Sequence, residues 1–280
     1  MKLVFGSSGQ VASALKLMPD VEALGRKDCD LMKRQNFHEI IKHYGPSAVV
    51  NAAAYTQVDD AEFDDKAFQL NSVVPKEIAS ACKTLGVPFI HLSTDYVFSG
   101  EGTLPWKPEH HAVPINRYGK SKLEGEQAVS SCCDNYVILR TSWTFSNSRS
   151  NFVTTIASIA DGAESREFIE VVEDQVGGPT PAESIAEACI VISDELTRAP
   201  WKSGIYHLSG WPDVSRAELA SAILTELGSS VEIRNVRSSS LTGTHAKRPL
   251  NSRLDCESLY RSFGIERPRW RDTLKHVVGN

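Results

Sequence analysis

A glycine-rich turn separates the first predicted strand from the first predicted helix, and it restricts the fold more than any other part of the sequence. Residues 2–5 are a short apolar run, and apolar residues recur at helical spacing over residues 11–18. Between them, Gly6, Gly9 and Ala12 form the pattern G-x-x-G-x-x-A. In a dinucleotide-binding unit the first glycine makes a tight turn, the second lets the backbone approach a pyrophosphate, and the small third residue lets the helix pack on the strand. The pattern predicts a dinucleotide site; a plain turn is the alternative.

Strands and helices alternate through the first half of the chain. The predicted strands after the first lie at residues 21–24, 48–51, 87–93 and 136–140, with helices at 37–44, at 61–85 and after residue 116. This alternation predicts an α/β fold, a Rossmann-like doubly wound parallel sheet with a smaller C-terminal α/β substrate domain. We expect residues 1–150 to bind NAD(P) and 151–280 to form mainly the substrate-binding domain, with a segment near 182–200 returning to the first domain.

The end of the second predicted strand bears on cofactor choice. Gly25-Arg26 stands where an NAD-preferring site usually offers an acid to the ribose, about twenty residues after the first glycine. A guanidinium suits a 2′-phosphate, so Arg26 predicts NADPH, with NADH still open. The alternative is a solvated arginine, with Asp28 or Asp30 holding the ribose or the adenine edge.

Charge and cysteine usage exclude several classes of protein. Thirty basic and 35 acidic residues give a net charge of −5, which disfavours a nucleic-acid partner. The six cysteines are scattered without zinc-site spacing, and no Asp/Glu/His cluster indicates a metal, which predicts reduced cysteines and no metal site. The apolar strand begins at Lys2, with no leader or long apolar run, so we expect a cytoplasmic protein without a membrane span.

A tyrosine and a lysine four residues apart are the clearest candidates for chemistry. Tyr118 and Lys122 fall at the start of a predicted helix, where this spacing places both side chains on one face. A nearby ammonium group favours the phenolate, which would lower the phenol pKa and suit Tyr118 to general acid catalysis. A hydroxyl from Ser93 or Thr94, at the end of the fourth strand, would hold a substrate oxygen beside it. Chance also produces such a tyrosine–lysine pair, so the prediction depends on the cofactor turn.

A cationic segment near the C-terminus is a candidate anion site. Arg248 and Arg253 fall in a basic stretch of an otherwise acidic chain and would suit a diphosphate. A solvated charged loop is the equal alternative. Trp106, in the Gly- and Pro-rich segment 99–114, is either part of a lid or a packing residue.

Seven sequence blocks in order resemble the dTDP-4-dehydrorhamnose reductase family of the extended short-chain dehydrogenases/reductases, almost end to end. They are Gly6-x-x-Gly9-Gln10-Val11, Asn51 to Thr56 with Val58-Asp59 and Ala61-Glu62, Ser93 to Phe98, Tyr118-Gly119-x-x-Lys122, Arg140 to Trp143, Asp174-Gln175-x-Gly177-x-Pro179-Thr180, and Arg248-Pro249-x-Asn251-Ser252.

The resemblance implies a role for each matching residue. Tyr118 would be the general acid, Lys122 would bind the nicotinamide ribose and tune the tyrosine, and Thr94 would bond the keto oxygen. Asp95 and Trp143 would hold the sugar, with Arg248 and Asn251 in the last block. Besides Gly6 and Arg26, the cofactor contacts would be Gly9, Gln10, Val11, Asp30, Leu31, Ala54, Tyr55 and Thr56. The implied activity is NADPH- or NADH-dependent reduction of the 4-keto group of a dTDP-linked 6-deoxyhexose to dTDP-L-rhamnose. A magnesium requirement and a homodimer are left open.

Two classes of rival function share this fold, another nucleotide-sugar enzyme and a non-catalytic binding subunit. A 4,6-dehydratase has Asp-Glu after its threonine, whereas Asp95 is followed here by Tyr96; a reductase or epimerase acting on another nucleotide sugar is harder to separate. The regulatory β subunit of methionine adenosyltransferase also resembles this family and would be a non-catalytic NADP-binding protein.

Overall fold

The computed structural model describes residues 1–162, 167–240 and 246–279 of the chain. In chain order the strands are β1 (Lys2–Phe5), β2 (Val21–Leu24), β3 (Ala48–Asn51), β4 (Phe89–Thr94), β5 (Tyr136–Thr141), β6 (Thr144–Phe145), β7 (Phe168–Val172), β8 (Val176–Gly177), β9 (Thr180–Pro181), β10 (Gly204–Leu208), β11 (Val214–Ser215), β12 (Glu232–Val236) and β13 (Asn251–Ser252). The α-helices are α1 (Gln10–Lys16), α2 (Phe37–Tyr44), α3 (Lys66–Phe68), α4 (Val74–Leu85), α5 (Arg117–Cys132), α6 (Phe152–Ala160), α7 (Ala182–Arg198), α8 (Arg216–Glu226), α9 (Glu257–Phe263) and α10 (Trp270–Val278).

Six parallel strands form the main sheet in the order β10-β5-β4-β3-β1-β2. The strand order reverses between β1 and β3, because β2 lies on one side of β1 and β3 to β10 lie on the other. In open α/β sheets such a reversal opens a crevice at the carboxyl ends of the strands, where ligands bind. Strand β10, which comes after the regular alternation of strands and helices in the first half of the chain, is thus the sixth strand of this sheet, paired with β5.

Helices cover both faces of the main sheet because alternate strand residues point to opposite sides. Val4 packs on one face with residues of α1, α7 and α9, whereas Leu3 and Phe5 pack on the other with residues of α2, α4 and α5. This two-sided core confirms the predicted doubly wound sheet.

A second core lies outside the main sheet. It surrounds the fully buried Trp270 and joins α6, α8 and α10 to the parallel pair β7–β12. The short strands β11, β8 and β13 form a separate three-stranded sheet, and β6 pairs with β9. Helix α8 begins with a capping box, in which the side chains of Ser215 and Glu218 each bond the backbone of the other residue.

The predicted helix at residues 61–85 is interrupted in the structure. A 3₁₀ turn at Asp60–Glu62 precedes α3, and a π-helical turn at Gln69–Val73 separates α3 from α4. The π turn places Asn71, which is fully buried, where its amide reaches other parts of the chain. Helical periodicity alone does not reveal such a turn.

Trp106 packs in the structure rather than standing free over a cleft. Its ring stacks on Phe98 with 4.7 Å between centroids, and its indole N–H donates to the Asn251 carbonyl at 3.1 Å. All six cysteines are free thiols. Across residues 1–162, 167–240 and 246–279, no helix is both long and apolar enough to cross a bilayer.

Candidate active site

The carboxyl ends of β1, β3, β4 and β5 bring the predicted cofactor and catalytic residues to one edge of the main sheet. Phe5 is opposite both Leu24 and Asn51, and Thr94 is opposite Thr141. The segments that follow these strands therefore leave the sheet side by side.

Gly6 adopts a conformation that requires glycine. Its φ is +110°, and a Cβ there would lie 3.1 Å from the Ala53 nitrogen. Gly9 caps α1 without a side-chain hydrogen bond, so the first amides of that helix are not covered by a cap. The close approach of the turn to β3 and these amides form a cradle that fits a dinucleotide pyrophosphate.

The other predicted cofactor residues flank this turn. Gln10 directs its side chain to the second half of the chain: its amide nitrogen donates to the Thr144 carbonyl at 3.3 Å, and its oxygen accepts from Ser146 at 3.0 Å. Val11 is buried in the core, so only its main chain is available to a ligand. The side chain of Gln10 thus ties the glycine turn to the segment after β5.

The residues after β2 include the arginine and the aspartates that the sequence offered as ligands of the cofactor ribose. Arg26 is exposed, and Asp28 accepts a hydrogen bond from the Gly25 amide at 2.9 Å. Asp30 accepts from the Met32 amide at 3.1 Å, while Leu31 is buried. Asp28 therefore supports the turn, and Arg26 and Lys27 are exposed cations at this strand end.

The segment Ala54-Tyr55-Thr56 is held by Asn71 of the π turn. The Asn71 oxygen accepts from the Tyr55 amide at 2.8 Å, and its nitrogen donates to the Tyr55 carbonyl at 3.0 Å. The same nitrogen donates to Ser121 of α5 at 3.0 Å. One buried amide thus joins the segment after β3 to the helix that carries Tyr118.

Helix α5 begins at a fixed position over the sheet. The Asn116 side chain caps it by accepting from the Gly119 amide at 2.7 Å, and it donates to the Lys247 carbonyl at 2.7 Å. A Cβ on Gly119 would collide with the Tyr96 carbonyl, so glycine allows α5 to lie against the end of β4. This contact brings Tyr118 to Thr94.

Tyr118 is buried next to Thr94. Its ring packs edge-on against Tyr96 with 5.5 Å between centroids. Burial raises the pKa of Tyr118 above that of a free phenol, and a hydrogen bond with Thr94 opposes this shift. The sequence predicted that Lys122 would lower the phenol pKa. The structure shows the opposite direction, because desolvation of the phenol dominates and the Lys122 ammonium group donates to the Leu92 carbonyl.

Lys122 is buried and anchored to the neighbouring strand. Its ammonium group donates to the Leu92 carbonyl at 2.6 Å. Burial lowers the pKa of Lys122 to about 8, while the carboxylate of Glu126 acts in the opposite direction. Glu126 is itself ion-paired with Arg140 at 2.6 Å and accepts from Ser93 at 2.5 Å.

Asp95 and Trp143 stand at the ends of the adjacent strands β4 and β5. Asp95 is buried, and its Oδ1 accepts from the Thr94 hydroxyl at 3.2 Å, whereas its Oδ2 has no partner at hydrogen-bonding geometry among the described residues. Burial raises the pKa of Asp95 to about 6, and the nearby hydroxyls of Ser252 and Thr94 oppose that shift. Trp143 has a φ of +47°, a left-handed conformation that is strained for a tryptophan. Its carbonyl accepts from the Thr180 amide at 3.2 Å, which helps to hold that conformation.

The two C-terminal candidates are already bonded within the chain. Arg248 forms an ion pair with Asp59 at 2.8 Å and also lies close to Tyr96. The Asn251 side chain donates to the Leu104 carbonyl at 2.8 Å and accepts from Arg253 at 3.0 Å. Arg248 therefore lies beside Tyr96, two residues after Thr94, whereas the Asn251 amide holds the loop after β4.

Sequence reasoning missed Asn71, Glu126 and Arg216. The guanidinium of Arg216 lies 3.7 Å from the Trp143 ring centroid and within electrostatic reach of Asp95. The signal available was its position directly after the Ser215 cap, where a helix dipole favours an acid rather than a cation. The described ranges contain no cluster of three or more His, Cys, Asp or Glu side chains suited to a metal ion.

A Rossmann-like sheet with a dinucleotide cradle at its switch point, and a buried tyrosine, lysine and threonine beside it, define a nicotinamide-dependent oxidoreductase of the short-chain dehydrogenase/reductase type. The RmlD substrate binding domain family matches residues 1–280. A dTDP-4-dehydrorhamnose reductase of Sinorhizobium fredii is 40% identical over 98% of this chain and 95% of its own length. The chain therefore belongs to the dTDP-4-dehydrorhamnose reductase family.

Two crystal structures of the family have the same fold. The dTDP-4-dehydrorhamnose reductase of Clostridium acetobutylicum superposes with a TM-score of 0.91 at 29% identity, over 100% of this chain and 99% of that one. The enzyme of Bacillus anthracis, in complex with NADP, has a TM-score of 0.87 at 30% identity, over 99% and 97% of the two chains.

Proposed function

We propose that the protein reduces the 4-keto group of dTDP-4-dehydro-6-deoxy-L-hexose to give dTDP-L-rhamnose, with NADPH as the preferred cofactor. The observation that carries this proposal is the position of α5, which its Asn116 cap and the Lys122–Leu92 hydrogen bond fix so that the buried Tyr118 lies next to Thr94 at the end of β4, beside the dinucleotide cradle. The family relatives bear the name of this reaction.

The cofactor would lie across the switch point between β1 and β3. The amides after Gly6 and Gly9 would hold its pyrophosphate, and Arg26 would meet the 2′-phosphate of NADPH. Asp30 and Leu31 would border the adenine end, and the Ala54-Tyr55-Thr56 segment would run past the nicotinamide half. The glycine conformation and the exposed Arg26 support this placement.

The nicotinamide, when bound, supplies the hydride for reduction of the sugar C4 carbonyl. Thr94 donates a hydrogen bond to the carbonyl oxygen and holds it next to the Tyr118 phenol. As C4 is reduced, Tyr118 gives its proton to that oxygen, so the C=O double bond becomes an alcohol and tyrosinate remains. A phenol with a raised pKa stays protonated until an alkoxide develops beside it, which suits Tyr118 to this role.

Lys122 has two functions in this scheme. Its ammonium group binds the nicotinamide ribose, and its positive charge stabilises the tyrosinate after proton transfer. The hydrogen bond to the Leu92 carbonyl fixes the ammonium group at the end of β4 before either ligand arrives. Solvent then restores the proton of Tyr118.

The sugar nucleotide would be held mainly by the second half of the chain, as a substrate domain of residues 151–280 together with Asp95 and Trp143. Asp95 has a free oxygen for a sugar hydroxyl, and Trp143 offers a rigid ring beside it. Arg248 would contribute a cation at the border of the crevice. Because the side-chain amide of Asn251 is bonded within the chain, it would act by shaping the loop.

Incubation of the protein with dTDP-4-keto-6-deoxy-L-hexose made in situ tests the proposal. We expect oxidation of one NADPH per sugar and formation of dTDP-L-rhamnose, with slower turnover on NADH. The same assay repeated with EDTA detects a magnesium requirement. Activity only on another nucleotide sugar would exclude this substrate. Cofactor binding without turnover would favour the non-catalytic binding subunit. Cytoplasmic location and a homodimer stay predictions, tested by cell fractionation and light scattering.

A further inference from the structure

Arg216 lies at the edge of the second core, and its guanidinium packs on two aromatic rings rather than on an acidic side chain. It is the first residue of α8, and its guanidinium carbon lies 3.7 Å from the Trp143 ring centroid and 4.8 Å from that of Phe152. Within the described residues, no hydrogen bond or ion pair joins the Arg216 guanidinium to an acceptor. Ring stacking leaves the N–H donors of an arginine available.

The acid nearest in sequence cannot neutralise Arg216. Glu218 accepts a hydrogen bond from the Ser215 amide at 2.6 Å, and the Ser215 hydroxyl accepts from the Glu218 amide at 3.1 Å. The carboxylate is thus committed to the capping box. Arg216 also sits at the N-terminus of an 11-residue helix, where the dipole disfavours a cation.

The charged and polar neighbours of Arg216 lie at the carboxyl end of β4. Asp95 and Tyr96, which follow Thr94, lie within electrostatic reach of its guanidinium, and so does Arg248. Burial lowers the pKa of Arg216 to about 10, so it carries a full charge at neutral pH. Two guanidinium groups therefore flank the end of β4, and only that of Arg248 has a carboxylate partner among the described residues.

We propose that Arg216 binds the diphosphate of the nucleotide-sugar substrate, with Trp143 and Phe152 holding its side chain in place for the incoming phosphates. The inference rests on the proposed function, since it takes the substrate to be a nucleoside diphosphate sugar. A sugar whose carbonyl lies at Thr94 extends past Asp95, and its phosphates, each with a negative charge, would complete the hydrogen bonds that Arg216 lacks. The unfavourable placement of this cation is offset when that anion binds.

Calorimetric titration of the NADP⁺-saturated full-length protein with dTDP and with thymidine tests this assignment. Arg216→Gln is expected to weaken dTDP binding roughly tenfold or more, the loss of a charge-assisted contact, while thymidine binding changes less than about twofold. Arg216→Lys keeps the charge and should retain part of the dTDP affinity. Arg234→Gln is the matched control, because Arg234 stacks on Phe168 at 3.4 Å on an exposed strand and should affect neither ligand.

Thermal unfolding of the same variants separates binding from a structural role. Arg216→Gln removes a half-buried cation that has no hydrogen-bonded acid partner and exchanges its ring stacking for the amide of glutamine, so its melting temperature should stay close to that of the wild type. A lower melting temperature with equal weakening of dTDP and thymidine would show that Arg216 only supports Trp143, and unchanged dTDP binding would also overturn the proposal. If the wild type binds no dTDP, the assignment is wrong. Selective loss of dTDP binding in a protein that does not reduce the keto sugar would retain Arg216 and reject the proposed reaction.

Discussion

The ammonium group of Lys122 donates a hydrogen bond to the main-chain carbonyl of Leu92, with 2.6 Å between the two atoms. Leu92 is two residues before Thr94 on β4, and Lys122 is one helical turn after Tyr118 on α5. This single bond therefore fixes the helix that carries the proton donor relative to the strand that carries the hydroxyl. It also means that the lysine is in place before a cofactor binds.

The charge of Lys122 should limit activity at alkaline pH. Its pKa is lowered to about 8 by burial, so the ammonium form is present below that pH and is lost as the pH rises through it. We expect kcat/KM for NADPH, which reports groups of the free enzyme, to fall above about pH 8. The measurement is the rate of NADPH oxidation across a pH series. Lys122→Arg should remove the falling limb, and Lys120→Arg, exposed on the same helix, should not. A limb that persists in Lys122→Arg would belong to another group.

The buried carboxyl of Asp95 should make stability depend on pH. Its pKa is about 6 in the folded protein against 3.8 in an unfolded chain, so the folded state binds the proton more tightly. The free energy of unfolding should therefore fall as the pH rises from 3.8 to about 6. Above that pH the contribution of Asp95 should stay constant at its lower value. The difference in the free energy of unfolding between Asp95→Asn and the wild type should therefore change with pH. It should be more favourable to Asp95→Asn by about 2–3 kcal/mol at pH 7 than at pH 3.8.

Urea unfolding at a series of pH values measures the Asp95 effect. Asp134→Asn is the control, because that carboxylate is exposed and pairs with Lys83 at the surface. A constant difference between wild type and Asp95→Asn at every pH would show that the folded and unfolded pKa values are the same.

Gly125 allows α5 to lie against the π turn. A Cβ at Gly125 would collide with the Asn71 carbonyl. In an isolated helix alanine stabilises relative to glycine by about 1 kcal/mol, but overpacking against backbone costs typically about 1–3 kcal/mol. We expect Gly125→Ala to lower the free energy of unfolding and to lower kcat by displacing Tyr118. Ser130→Ala, exposed on the same helix, should change stability by less than about 0.5 kcal/mol. A stabilised Gly125→Ala would contradict the close packing.

The ion pair between Glu126 and Arg140 is fully buried behind Lys122, with side-chain exposures of 2% and 3%. Glu126→Gln leaves the Arg140 guanidinium without its counter-ion, so we expect a loss of about 3–5 kcal/mol in the free energy of unfolding. Glu257→Gln breaks the exposed pair with Arg261 and should cost less than about 1 kcal/mol. Equal losses in the two variants, measured by urea unfolding, would show that burial does not make the Glu126 pair different.

The sequence predicted the sheet because its signals are local. The apolar runs and the glycine turn at Gly6 each act within a few residues, and the structure has them where the pattern places them. The π turn around Asn71 was not predictable, because it depends on bonds to Tyr55 and to Ser121, 16 and 50 residues away.

The sequence predicted which residues meet at the candidate site, but it did not predict their pKa values or their charge partners. Tyr118 and Lys122 share a helix face, as their spacing requires, yet burial shifts their pKa values in directions that spacing does not reveal. The partner of Arg248 is Asp59, 189 residues earlier in the chain, and the stack of Arg216 on Trp143 also spans separate elements. Such contacts follow from the folded chain, and they decide which cations are available to a ligand.

The most direct test of the central claim compares the wild type with Tyr118→Phe, with Tyr96→Phe as the control for the neighbouring ring. The measurement is kcat for NADPH oxidation with dTDP-4-keto-6-deoxy-L-hexose, together with the NADPH Kd from fluorescence titration. Loss of the proton donor should lower kcat in Tyr118→Phe by about 10²–10⁴-fold with an NADPH Kd close to that of wild type, and Tyr96→Phe should lose far less. Turnover of Tyr118→Phe at the wild-type rate would contradict the assignment of Tyr118 as the proton donor.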